Sequence, residues 1–169
     1  MDFSTVYETS TRADLARLVK HCDALAGARR MPHRKDLRPA DVTWLLGRIY
    51  LVDVLDAGAD YCFRLFGIFW EKMYGADLTG QRLSKIEATG RLTALRADYD
   101  GVVAAGAPFL HPGKLVWANQ KSIGYERLLV PFSGDDGQVS LILAAAGCDV
   151  PLDDLVLHKG KGLPHLDLD

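Results

Sequence analysis

Two apolar, β-branched runs held apart by a short turn cluster constrain this chain more than any other feature. Ile49 to Leu55 (IYLVDVL) and Tyr61 to Phe66 (YCFRLF) flank Asp56-Ala57-Gly58-Ala59-Asp60. Runs of that composition bounded by Gly and Asp read as the strands of an antiparallel hairpin. The period then changes. After Gly67, Phe69, Trp70, Met73 and Tyr74 recur at helical spacing, the segment breaks at Gly75, and Asp77-Leu78-Thr79-Gly80 closes it. A strand feeding a short aromatic helix and then a Gly-bounded polar turn can wall a small cavity, although such aromatic stripes are more often plain core.

Helical patterns flank this centre. Over 11–27, Leu15, Leu18, Val19, Cys22, Leu25 and Ala26 form one apolar stripe. Thr11 suits an N-cap, with Asp14 three residues on, and Gly27 suits the stop. The opposite face carries Arg12, Lys20 and Asp23. Such a helix either packs on its own sheet or pairs with a second copy. If it pairs, Leu15, Leu18, Val19, Cys22 and Leu25 are the dimerisation residues and a homodimer is the expected assembly. A charged connector from Met31 to Pro39 leads to a shorter helix, with Val42, Leu45 and Leu46 on one face and Trp44 to its side, ending at Gly47.

Downstream, Leu92, Leu95, Tyr99, Val102 and Val103 share a face of a helix over 91–105, stopped by Gly106 with Pro108 beyond. Three strands complete the pattern. The first, from Pro108 to Ala118, is interrupted by a His111-Pro112-Gly113 turn. The others, Tyr125 to Phe132 and Gln138 to Ala146, flank Gly134-Asp135-Asp136-Gly137, a hairpin signal. Five antiparallel strands with helices inserted between the second and third define an α+β fold. The chain divides into an N-terminal helix (1–30), a main domain (31–147) and an aperiodic tail (148–169), partly ordered at most.

Bulk properties exclude several functions. The 169 residues suit one domain, and the net charge of -2 argues against a dedicated nucleic-acid binder. Arg29, Arg30, His33, Arg34, Lys35 and Arg38 crowd one segment, best read as a solvated linker. Cys22, Cys62 and Cys148 form no disulfide framework or zinc motif and suit a reducing compartment. The N-terminus has no apolar core of a signal peptide. The longest apolar run, Leu141 to Ala146, is far short of the ~20 residues a membrane span needs. A cytoplasmic location is expected.

In that order of elements, the sequence resembles a PAS domain, and more narrowly the single-domain PAS proteins of alphaproteobacteria grouped as the PAS_5 family. The resemblance rests on Met31-Pro32-x-Arg34-x-Asp36-Leu37-x-Pro39, Ile49-x-Leu51-x-Asp53-Val54 and Arg64-Leu65-Phe66-Gly67. It continues in Gly75-x-Asp77-Leu78-Thr79-Gly80 and Leu128-Leu129-x-Pro131-x-Ser133-x-Asp135. It runs from about Arg30 to Ala146. It implies a five-stranded antiparallel sheet with helices on one face around a small cavity, in a domain that senses small molecules or redox state or mediates protein contacts. One departure stands out: where this group has a small hydroxyl residue after Phe66-Gly67, this chain has Ile68.

Cofactor chemistry finds little support. Tyr61-Cys62-Phe63-Arg64-Leu65 has letters of the flavin-reactive Asn-Cys-Arg-Phe-Leu of light-sensing PAS domains, but the order differs, the Asn is missing and this Cys lies on a strand. Haem needs an axial ligand, usually His, and the 91–105 helix has none; His111 reads as a solvated turn residue and His21 lies beside the first apolar stripe. Neither flavin nor haem is expected, and His158 and His165 lack partners at metal-ligand spacing. No nucleophile motif or phosphate loop appears, so no catalytic residue is assigned.

Arg64 and Arg127 are mid-strand charges, costly if buried unpaired. Either they project from the outer face, which is the expectation, or they reach an acid such as Asp53 or a ligand carboxylate. Alternation places Cys62, Arg64 and Phe66 on one face. Inward-pointing arginines would imply a polar or anionic ligand. Candidate pocket residues are Tyr50, Arg64, Phe66, Trp70, Tyr74, Tyr99, Trp117 and Arg127. The expected function is a non-enzymatic sensory module that binds a small molecule or a protein partner and signals in trans. The alternatives are an isomerase- or cyclase-type enzyme using Asp53, and a structural adaptor with a filled core.

Overall fold

The structure, a computed structural model, describes residues 3, 5–6, 10–89, 92–116, 122–148 and 165–167. The hairpin forms as expected, with β1 (Ile49–Leu55) and β2 (Asp60–Phe66) antiparallel across a tight turn at Asp56–Gly58. The C-terminal strands are β3 (Phe109–Val116), β4 (Ser122–Ser133) and β5 (Val139–Cys148). Because β5 returns to pair with β1, the strand order is β2-β1-β5-β4-β3, antiparallel throughout. A short sixth strand, β6 (His165–Asp167), extends the sheet beyond β3. Three residues are too few to print a period on the tail sequence.

The His111-Pro112-Gly113 turn expected within the third strand does not occur. All three residues are paired in β3, opposite Arg127, Glu126 and Tyr125. Pro-Gly is a turn signal in isolation, but β6 reaches only Lys114 to Val116. Among the described residues no strand pairs with Pro112 on that side, and a missing N–H is tolerated at such an edge. Gly113 has a steric role there: an added Cβ would stand 2.4 Å from the Tyr125 ring.

The sheet is covered on both faces. On one side lie α2 (Ile68–Tyr74), α3 (Leu83–Glu87) and α4 (Thr93–Ala105), the helices inserted between β2 and β3. The other side takes α1 (Ala13–Ala26), whose Leu15, Leu18, Val19 and Cys22 are buried in one cluster with Leu128, Val130, Phe132, Leu141 and Leu143. Strand β5 is thus apolar along nearly its whole length because it is buried on both faces. Each such aliphatic side chain contributes about 1.5–3 kcal/mol by leaving water. The α1 stripe therefore packs on its own sheet, with Leu25 half-buried at its margin. This corrects the assignment of Leu15, Leu18, Val19, Cys22 and Leu25 to a dimer contact, since four of the five have no surface left to offer.

One local expectation also changes. Arg12 occupies the N-cap position of α1, while the Thr11 hydroxyl reaches across to Glu126 of β4. The shorter helix opened by Pro39 forms, as a 3-10 helix, Pro39–Leu45. The basic connector is held by ion pairs: Arg29 to Asp36 at 2.7 Å, Arg34 to Asp53 at 3.3 Å and Lys35 to Asp135 at 2.6 Å. Its backbone also joins the sheet, with Ser133 N donating to Pro32 O at 2.9 Å.

Candidate functional site

The wall facing α2–α4 begins with an irregularity. Leu51 pairs with Leu65 and Val52 with Phe63, so Arg64 has no opposite residue on β1. That extra residue is a β-bulge, which breaks alternation and turns the following side chains over. Tyr61, Phe63 and Phe66 therefore all face the helices, while Arg64 and Leu65 are exposed. The expected grouping of Cys62, Arg64 and Phe66 on one face is corrected by this bulge.

Gly67 ends the strand under tight constraint. Its N–H donates to Ile49 O at 2.9 Å, Phe69 N–H donates to Gly47 O at 2.8 Å, and a Cβ on Gly67 would lie 2.4 Å from the Ile49 oxygen. Only a bare Cα lets the chain turn so close to β1. Helix α2 then presents Phe69, Trp70, Met73 and Tyr74 to the interior, with Trp70 Nε1 donating to Arg48 O at 2.8 Å. Tyr50 of β1 meets Trp70 edge-on at 4.8 Å between ring centroids, and Trp70 stacks on Tyr74 at 6.1 Å. Ile68 is 45% exposed, so the departure from the family pattern lies outside this interior.

The polar turn after α2 is structural. Asp77 Oδ1 accepts from Thr79 N at 2.8 Å, and Gly80 N and Gln81 O bond to Phe63 at 2.6 and 3.0 Å. It thereby covers the open edge of β2. Asp60 anchors the next element, accepting from Ser84 Oγ at 2.7 Å and Ser84 N at 3.2 Å at the start of α3. Arg96 of α4 joins it at 3.4 Å and Glu87 at 2.8 Å.

At the centre stands Arg127. It is 0% exposed and points from β4 toward the helices, which corrects the outer-face expectation for this residue. Its Nη2 donates to Asp98 of α4, a carboxylate whose side chain is 20% exposed. Tyr50, Tyr74, Tyr99 and Tyr125 surround the guanidinium, and Tyr99 donates to Tyr50 Oη at 3.0 Å. Burial works against the cation and the tyrosine oxygens work for it, so it stays charged. Burial likewise raises the pKa of all four phenols, keeping them neutral. Burial and then the Arg127 charge lower the pKa of His111 on β3.

This cage is under-satisfied. The Arg127 Nε and Nη1, Tyr125 Oη and His111 Nε2 are buried and make no well-formed hydrogen bond to any described residue. The hydroxyls of Tyr50 and Tyr74 lie against the guanidinium and each offers it an oxygen, though not in the geometry of a full hydrogen bond to Nε or Nη1. Unmet donors on a buried cation are costly, and each calls for a partner.

Of the candidate pocket residues, Tyr50, Phe66, Trp70, Tyr74, Tyr99 and Arg127 come together on the helical face. Arg64 does not: its side chain is 53% exposed on the outer surface and pairs with Asp53 at 2.9 Å. Asp53, the acid an enzyme reading needs inside, lies on that surface too, shared with Arg34. Cys62 sits opposite Asp53 in the hairpin, half-buried and outside the interior cluster. Trp117 and His158 lie outside the described residues. Among the described residues no group of three His, Cys, Asp or Glu comes together to hold a metal.

Asp98, His111 and Tyr125 are site residues that sequence reasoning missed. Tyr125 had a signal, since residues two apart on a strand share a face with Arg127. His111 was hidden by its Pro-Gly neighbours, and Asp98 lies just off the apolar face of its helix.

An antiparallel sheet with this strand order, with three helices inserted between β2 and β3 packed over an aromatic interior on one face, is the architecture of a PAS domain. A family model described as a PAS domain, PAS_5, matches residues 9–146, and the chain belongs to that family. Comparison with curated proteins finds no match. Among solved structures, the chain is similar to an RNA-binding light-oxygen-voltage receptor, at 16% identity over 68% of this chain and 33% of that one, TM-score 0.44. It is also similar to a light-oxygen-voltage protein of Rhodobacter sphaeroides, at 16% identity, 60% and 58% coverage and TM-score 0.42. A PAS domain from Colwellia psychrerythraea is similar at 15% identity, 60% and 84% coverage and TM-score 0.40. The chain thus spans 33% and 58% of the first two. Among the described residues no helix is long and apolar enough to cross a membrane.

Proposed function

We propose that this PAS domain is a sensory module without catalytic activity, which holds a small molecule against the helical face of its sheet and passes the change to a separate signalling protein. One observation carries the reading: Arg127 is a fully enclosed cation with unmet hydrogen-bond donors inside an aromatic cage. A core evolved only for packing gains nothing from that arrangement, since apolar residues of similar volume are at least as stable. Tyr50, Phe66, Trp70, Tyr74, Tyr99 and Arg127 form the proposed binding surface. Arg64 is left out of it, and so is a homodimer through the α1 stripe. The three free cysteines suit a reducing cytoplasm.

Native mass spectrometry of the protein purified from its own host tests the proposal. A retained small molecule, absent from an Arg127→Gln variant purified in the same way, is the expected result. A wild-type protein that carries nothing and whose melting temperature no metabolite extract changes would leave the adaptor reading in its place. The same preparations should show no turnover of any molecule they retain.

A further inference from the structure

We infer that the site takes a small carboxylate, which replaces Asp98 on the Arg127 guanidinium. The inference rests on the reading of the helical face as a ligand site and adds the chemistry of what binds there. The deficit in the cage is one of acceptors. Guanidinium N–H groups only donate, Nε and Nη1 are unmet, and the Tyr125 hydroxyl beside them can donate as well. A carboxylate is acceptor-only, and its hydrogen bonds with a cation are roughly twice as strong as neutral ones.

The protein already places a carboxylate on this cation, and that carboxylate is the more dispensable partner. Asp98 is 20% exposed and can return to water, whereas Arg127 has no exposed surface and must keep a partner. Charge balance then separates two kinds of ligand. The Arg127–Asp98 pair is neutral, so an incoming anion keeps the site neutral only by displacing Asp98. A neutral amide of the same shape leaves Asp98 in place. Tyr50, Trp70, Tyr74 and Tyr99 provide an aromatic wall for a planar or apolar body attached to the acid.

Calorimetric titration of the full chain with acetate, benzoate and phenylacetate, using benzamide as the neutral control, tests this. At least one carboxylate should bind with a one-site isotherm, about tenfold or more tighter than benzamide. Asp98→Asn, which removes the competing charge, should tighten that carboxylate severalfold, and Arg127→Gln should abolish it. Because the glutamine variant can lose its fold, Tyr125→Phe serves as a second test: it keeps the ring on Gly113, removes one donor and should weaken binding severalfold. The inference is overturned if none of the three acids binds, if benzamide binds as tightly, or if Asp98→Asn leaves affinity unchanged. A neutral molecule retained from the host would sink the carboxylate inference and leave the sensory reading standing. An empty protein that binds no probe would sink both.

Discussion

At the residue scale, Gly67 and Arg127 show how one position can fix a neighbourhood. Gly67 has an ordinary negative φ; its constraint comes from two carbonyl oxygens that are already engaged by the N–H groups of Gly67 and Phe69. Neither oxygen can retreat without losing a hydrogen bond. Gly67→Ala should therefore cost about 2–3 kcal/mol, at the upper end for overpacking. Urea denaturation should show a lower midpoint at unchanged slope. The orientation of Arg127 was not legible in the sequence for a related reason. Leu128, Leu129 and Val130 are all fully buried because helices cover both sheet faces. Without a wet face there is no alternation of polarity to say which way the charge points. For Arg64 the outer-face expectation agrees with the structure, although its face was derived from an alternation that the bulge removes.

At the scale of elements, the two helix layers behave differently. Helix α1 covers the reverse face with residues that have no exposure, so Leu18→Ala should cost about 2–5 kcal/mol as a core truncation. Size-exclusion chromatography should give the same elution volume for this variant as for wild type; a shift to a smaller species would restore the dimer-contact assignment. On β3, Gly113→Ala forces the Tyr125 ring off the strand, since the new methyl would overlap it. A changed near-ultraviolet tyrosine signal with modestly lower stability is expected; an unaltered spectrum would contradict the close approach. The element order and most helix boundaries were legible because apolar periods of 3.6 and 2 are local signals. The bulge at Arg64 and the continuity of β3 through Pro112 were not, because both are settled by a neighbouring strand distant in sequence.

At the scale of the whole molecule, buried ionisable groups set the response to acid. Burial raises the pKa of Asp60 and Glu126, but the hydrogen bonds they accept from Ser84 and Tyr61, and from Thr11 and Ser10, outweigh it and hold both below their ordinary values of 3.8 and 4.5. A depressed carboxylate stabilises the fold above its unfolded pKa, and that contribution is lost as pH falls through the folded value. His111 is depressed as well, by burial first and Arg127 second, so its contribution is complete above 6.5 and declines as pH drops from there toward its folded value. Urea midpoints should thus be level above about pH 7, dip first below 6.5, and fall further in the carboxylate range. His111→Gln should remove the first stage and spare the second.

Glu126 and Arg127 are consecutive residues of β4, and their side chains leave the sheet on opposite sides. Glu126 accepts from Ser10 Oγ at 2.7 Å and from Thr11 N at 3.1 Å, at the entry to α1, while Arg127 holds the centre of the cage. Linkage makes any dependence between these two grips mutual: the factor by which filling the cage changes the hold on α1 is the factor by which freeing α1 changes affinity in the cage. Were a partner to draw residues 10 and 11 away from β4, it would change affinity in the cage by that same factor. A single peptide unit of β4 thus joins the contact to the start of α1 on one face with the cage on the other.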